Sequence, residues 1–255
     1  MVSSVTLKNI SKIKYVPVKV DGNDVKCFSR IPLKNDKIDD LFMYMEHESD
    51  EHFNIFVESD KLGQIGRDQI ALAPPYDMAL ECYIEVLDKF RSLKSPGGIT
   101  KGAHIGEAMR LGSIIASIEN GMKAIDLYSM SQAIFFHRKY GFEPIIGPIY
   151  KKVEAALNHM AADKHPKLKV CSDKSKEIIE KIKSKKSKKV VSKKISKDVD
   201  KVIKEYLDTV IKEDLPIKEH TLPVDIQMRL TVDDIKAKKE LFNALFKKHG
   251  IDYTV

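Results

Sequence analysis

The chain has 255 residues, 43% of them hydrophobic, and 44 Lys and Arg against 37 Asp and Glu give it a net charge of +7 and a pI near 9.0, enough for one sizeable core or for one domain with an elaboration. Its three cysteines, Cys27, Cys82 and Cys171, are odd in number, far apart and without a CxxC pair, which excludes a disulfide framework and a zinc cage and predicts a reducing compartment. The N-terminal MVSSVTLKNISKIKYV lacks the apolar run of a signal peptide, and no stretch approaches the roughly twenty apolar residues of a membrane span, so the expected location is cytoplasmic.

Alternation over Tyr15 to Val20, the turn residues Asp21, Gly22, Asn23 and Asp24, and then Val25 to Ser29 predict a β-hairpin. The apolar spacing of Asp36 to Met45 predicts a short helix, and His52 to Glu58 alternates as a strand. Met78 to Leu87 (MALECYIEVL) is a further strand after the Pro74-Pro75 break, and Pro, Gly and Ser from Arg91 to Gly102 predict a loop. Ile105, Ala108, Met109, Gly112, Ile115 and Ile118 form one helical stripe, stopped by Asn120-Gly121. A strand over Lys123 to Tyr128 and a helix from Ser131 to Tyr140 follow, giving an α/β arrangement.

Beyond Tyr150 lysine dominates. Ile195, Val199, Val202, Tyr206 and Val210 still fall on one helical face, so the region predicts amphipathic helices, joined by a KSKKSKK segment too poor in apolar residues to pack. Val224 to Leu230 (VDIQMRL) alternates as a late strand, and Thr231 with Asp234 caps a last helix that ends before Gly250. The expected organisation is a core over 1–154, a lysine-rich helical insertion over 155–221, and a final strand and helix over 222–255 that complete the core.

Lys101 to Leu111, KGAHIGEAMRL, is a short glycine-bearing loop that runs straight into a helix. Exposed N–H groups and the dipole at a helix start suit a phosphate or pyrophosphate, and the same pattern also serves as a plain turn. On the Met78 to Leu87 strand, alternation places Glu81, Tyr83 and Glu85 on one face and Cys82, Ile84 and Val86 on the other.

Three segments together resemble the GNAT superfamily of acyl-CoA-dependent N-acetyltransferases. Val86-Leu87-Asp88-Lys89-Phe90-Arg91 is similar to the family's strand end, Lys101-Gly102-Ala103-His104-Ile105-Gly106 to its pyrophosphate loop, and Ala133 to Phe142 (AIFFHRKYGF) to its A-I-x-F-Y-x-K-x-G-F segment. The resemblance covers about Met78 to Tyr150 directly, with Val224 to Leu230 as the terminal strand.

This resemblance implies a mixed α+β sheet, splayed in the middle, with flanking helices and the lysine-rich insertion before the last strand. It implies acetyl-CoA as co-substrate, held by Val86, Leu87, Arg91, Lys101, Gly102, Ala103, His104, Ile105, Gly106, Glu107 and Lys139, and an amine acceptor, small molecule or protein. Glu85, or Glu81 in a shifted register, is the implied catalytic base, with a solvated strand glutamate as the alternative. His137 stands where the family commonly has the tyrosine that protonates the leaving thiolate, and histidine can act as an acid near neutral pH. His104 replaces the loop's first glycine, Met130 an asparagine, and either Lys101 or Arg91 supplies the loop's cation.

His47 and His52 are five apart rather than the four of HExxH, so no metal is assigned. Ser129 and Ser131 lack a GxSxG elbow, which leaves a hydrolase triad unsupported. The lysine run admits an acidic partner or nucleic acid, or a solvated helix face; no base-reading motif accompanies it. The competing reading is therefore a GNAT-like interaction protein whose basic helices bind such a partner.

Overall fold

A computed structural model describes residues 13–20, 22–49, 52–73, 78–86, 103–183 and 189–255. The Pro74-Pro75 break, the loop predicted from Arg91 to Gly102 and most of the KSKKSKK segment lie outside these residues. The chain divides into two compact units, Met1–Ile125 with Thr231–Val255, and Asp126–Leu230.

The first unit opens with the predicted hairpin, β1 (Tyr15–Val20) against β2 (Asn23–Phe28). An antiparallel meander follows: β3 (Ile31–Pro32), β4 (Leu41–Ser49), β5 (His52–Ser59), β6 (Gly63–Ala73) and β7 (Met78–Val86), adjacent in that order. The helix expected over Asp36 to Met45 is not formed; most of its apolar residues belong to β4. Leu41, Phe42 and Met43 are buried in succession, so at its start this strand loses the alternation that marks a half-exposed strand.

Helix α1 (Ile105–Glu119) lies on one face of this meander. Its close approach depends on two glycines: a Cβ on Gly66 of β6 would meet Met109 Sδ at 2.8 Å, and one on Gly112 of the helix would meet Ile55 and Met43, each at 2.8 Å. Asn120 ends the helix as expected, its amide donating to Ala116 O at 2.8 Å and its Oδ1 accepting from Lys26 N–H at 2.7 Å.

In the second unit the strands run in the order β8 (Ala124–Ser129), β10 (Ile226–Thr231), β9 (Glu143–Ile145). The late strand β10 thus enters between two earlier ones, pairing antiparallel with β9 through Met228 and Pro144. Arg229 and Gln227 reach from it to Asp126 on β8, with Arg229 Nε 2.6 Å from Oδ1 and Gln227 Nε2 3.0 Å from Oδ2. Helix α2 (Ile134–Lys139) lies between β8 and β9 in sequence.

The lysine-rich region forms α3 (Tyr150–Ala162), α4 (Lys169–Lys183), α5 (Lys193–Lys212) and a short α6 (Ile217–His220). The predicted stripe Ile195, Val199, Val202, Tyr206 and Val210 is buried throughout, so its apolar packing helps hold these helices together. Among the described residues no helix is long and apolar enough to cross a membrane. After β10, Thr231 and Asp234 form the expected capping box at the start of α7 (Val232–Ala237), and α8 (Lys239–Lys248) ends the chain's helices before Gly250.

Candidate functional site: a bulged strand and an uncapped helix start

Strand β7 is irregular at one point that decides which of its carboxylates is available. Ile70 pairs with Glu81, but the next residue back on β6, Gln69, pairs with Tyr83, so Cys82 is an extra residue and a β-bulge. Beyond it, Asp68 faces Ile84, Arg67 faces Glu85 and Gly66 faces Val86. Directly opposed residues share a face and successive residues alternate. Glu81 therefore lies with Ile84 and Val86 on the α1 side, and Glu85 lies with Arg67 on the other. The single face expected for Glu81 and Glu85 is corrected: the bulge reverses the phase between them.

Glu81 is committed to packing. It is buried, as is Arg110 of α1, and the guanidinium holds both carboxylate oxygens, with Nη2 2.8 Å from Oε1 and Nη1 on Oε2. Beside this pair sits Asp68, fully buried, its Oδ2 accepting from Ser113 Oγ. Burial, reinforced by the negative charge of Glu81, pushes the Asp68 carboxyl well above the usual range. Glu85, by contrast, is half-buried and keeps access to solvent.

Helix α1 starts without a capping side chain. His104 occupies the N-cap position with φ 52° and ψ 35°, the left-handed region, and makes no side-chain hydrogen bond there. This is the conformation that favours glycine, the residue the resemblance leads one to expect at this position, and a non-glycine residue is strained in it. Helix geometry leaves the first N–H groups, those of Ile105 and Gly106, without intrahelical acceptors. Ala103 is buried and its carbonyl accepts from Asn35 Nδ2 at 2.6 Å, while His104 is exposed. Glu107, the acid of the first turn, is turned into the core, where His249 Nε2 donates to it at 2.8 Å and Lys248 pairs with the same oxygen.

His137 and Lys139 belong to α2 in the second unit. His137 is buried, packed edge-on against Phe136 and Phe142 at 5.2 and 5.8 Å between ring centroids, and Lys139 is exposed. Between them Arg138 is buried in a network with Asp208, Glu143 and the Phe142 carbonyl. Leu87, Arg91, Lys101 and Gly102 lie outside the described residues. The sequence pattern does not single out Arg67, Asp68 or Arg110: Arg67 and Asp68 sit in a polar run inside an otherwise strand-like Gly63–Ala73, and Arg110 is a lone arginine on the α1 helix.

The molecule is thus an α/β protein of mostly antiparallel strands, in which a bulged strand presents one carboxylate and an uncapped helix start presents backbone amides. No family model matches the sequence, and no curated protein sequence is similar to it. Among solved structures it is similar in part to GNAT-family acetyltransferases. Tetrahymena GCN5 is 15% identical, with TM-score 0.30 over 37% of this chain and 52% of that one. A GNAT acetyltransferase of Staphylococcus aureus is 16% identical, with TM-score 0.30 over 37% and 55%. A spermidine N-acetyltransferase of Vibrio cholerae is 14% identical, with TM-score 0.32 over 41% and 57%. The chain thus spans little more than half the length of each, and scores this low have no bearing on its chemistry.

Proposed function

We propose that the protein is an acyl-CoA-dependent N-acyltransferase that moves an acetyl group from acetyl-CoA to a primary amine by direct attack. The observation that carries this reading is the bulge at Cys82. It removes Glu81 to the interior and leaves Glu85 solvent-accessible near the end of the strand that leads, in sequence, towards the amides of α1. The motif resemblance assigns the pyrophosphate to the loop and helix start from Lys101 to Gly106, with Lys101 or Arg91 as the cation, and the pantetheine arm to Val86 and Leu87.

In the step itself the neutral amine nitrogen attacks the thioester carbonyl carbon. A C–N bond forms, the C–S bond breaks, and coenzyme A leaves as its thiolate. Glu85 takes the proton that the nitrogen sheds, directly or through one water, and His137 is the residue the resemblance offers for protonating the thiolate. The uncapped amides of α1 are suited to the pyrophosphate charge because they need no desolvated counter-ion to do so. In this reading residues 1–154 and 222–255 form the catalytic core in the cytoplasm, and 155–221 is an insertion.

A second reading rests on charge. Lys164 to Lys204 holds sixteen lysines and five carboxylates, a net +11 against +7 for the whole chain. An acidic partner or nucleic acid bound there would dissociate steeply with salt, whereas acetyl-CoA binding would change little and would survive deletion of 155–221.

The test of the first reading is calorimetric titration with acetyl-CoA of the wild type and of Gly106→Pro, which keeps a helical φ but removes one amide. Binding by the wild type and loss in the variant support it. No binding at millimolar acetyl-CoA overturns it.

A further inference from the structure

The face of the meander opposite α1 carries a groove of about 570 Å³, walled by β4 and β5 and by the β1–β2 hairpin. Register places its chemistry. Phe42, Tyr44 and Glu46 alternate along β4 on this face, and their cross-strand partners on β5 are Glu58, Phe56 and Asn54. The same row continues through Arg67 on β6 to Glu85 on β7, so the groove and the proposed base share one side of one sheet.

Two features point to a cation in this groove. The aromatic faces already stack one: the Arg30 guanidinium lies 3.5 Å from the Phe42 ring centroid, and Tyr44 packs 5.3 Å from Phe56 and 6.0 Å from Phe42. Two carboxylates flank the rings, Glu58, which accepts from Tyr44 Oη at 2.8 Å, and Glu46. Burial and the Glu58 hydrogen bond push the Tyr44 phenol up, so it remains a donor.

We infer that this groove binds an ammonium group of the acceptor, and that the acceptor is an aliphatic amine with a second positive charge remote from the reacting nitrogen. This rests on the transferase reading for the reacting end only. Three interstrand steps separate Tyr44 from Glu85, roughly 14 Å. Arg67 stands in the row between them, so the ligand's charges belong at its two ends, with an uncharged spacer over Arg67. A long α,ω-diamine meets that description and a short one does not.

The experiment is calorimetric titration of the full-length protein with the ten-carbon and the four-carbon α,ω-diamines, repeated on Glu46→Gln and Glu58→Gln. Both side chains reach solvent, and circular dichroism confirms that the variants fold. The ten-carbon diamine is expected to bind the wild type about tenfold or more tightly than the four-carbon one, and each variant to lose about tenfold, the weight of one charge-assisted contact. Equal affinities for the two diamines, or full-strength binding by both variants, overturn the inference. Failure of acetyl-CoA to bind while the long diamine still does removes the transferase reading and leaves the groove standing. Acetyl transfer to the long diamine with an unchanged KM in both variants removes the groove and leaves the transferase.

Discussion

Glu81 and Arg110 are joined across the interface between β7 and α1 by a two-pronged ion pair that is closed to solvent. Two charges in such a place are stable only together, because either alone is left desolvated and unpaired. Glu81→Ala is therefore expected to destabilise the protein by about 3–5 kcal/mol, whereas the double change Glu81→Leu with Arg110→Leu should recover much of that loss. Thermal unfolding of the single and double variants checks it; equal destabilisation in both would show that packing, not charge, dominates there.

Asp68 gives a pH dependence of definite sign. Burial raises its carboxyl in the folded state above the unfolded value, so its contribution is fully present below about pH 4 and is lost as pH rises towards the folded pKa. Asp68→Asn keeps the neutral shape and cannot ionise on unfolding. The stability advantage of the variant should grow by up to about 1.4 kcal/mol per pH unit above pH 4. Denaturant midpoints measured at pH 4, 6 and 8 test this, and a gap that stays constant or shrinks contradicts it.

His104 is strained by its left-handed backbone. His104→Gly is expected to raise stability by about 0.5–1 kcal/mol, the relief of a Cβ clash less the added freedom of the unfolded glycine, and to leave acetyl-CoA binding intact or tighter. Loss of binding in that variant would instead make the imidazole a ligand contact.

Glu85→Gln should lower kcat/KM for acetyl transfer by about 100-fold to 10,000-fold and leave acetyl-CoA affinity unchanged. A variant with wild-type turnover would return Glu85 to the role of a solvated strand residue.

In the helical unit, Asp163 ties three elements together. Its Oδ2 accepts from Tyr206 Oη at 2.8 Å and from His220 Nδ1 at 2.7 Å. Burial alone would raise Asp163, but the His165 N–H, Tyr206 and His220 together hold it below its usual value. A depressed carboxyl stabilises above its unfolded pKa, and that contribution disappears as pH falls through the folded one. Asp163→Asn is expected to cost about 1–3 kcal/mol at pH 7 and less in acid, as read from helical circular dichroism on heating.

Local sequence pattern specified the hairpin at Tyr15, the stripe of α1, the buried face of α5, the Thr231 cap and the late strand β10. Each is written in local periodicity or turn chemistry, which the chain obeys wherever one face is buried and the other is wet. Not legible were β4, which opens on three successive buried residues, and β6, where Arg67, Asp68 and Gln69 disguise a strand. Above all, strand pairing, not residue order, set the fates of Glu81 and Glu85. One extra residue at Cys82 leaves no mark in composition or spacing, yet it inverts every side chain beyond it, because strand faces alternate with a period of two.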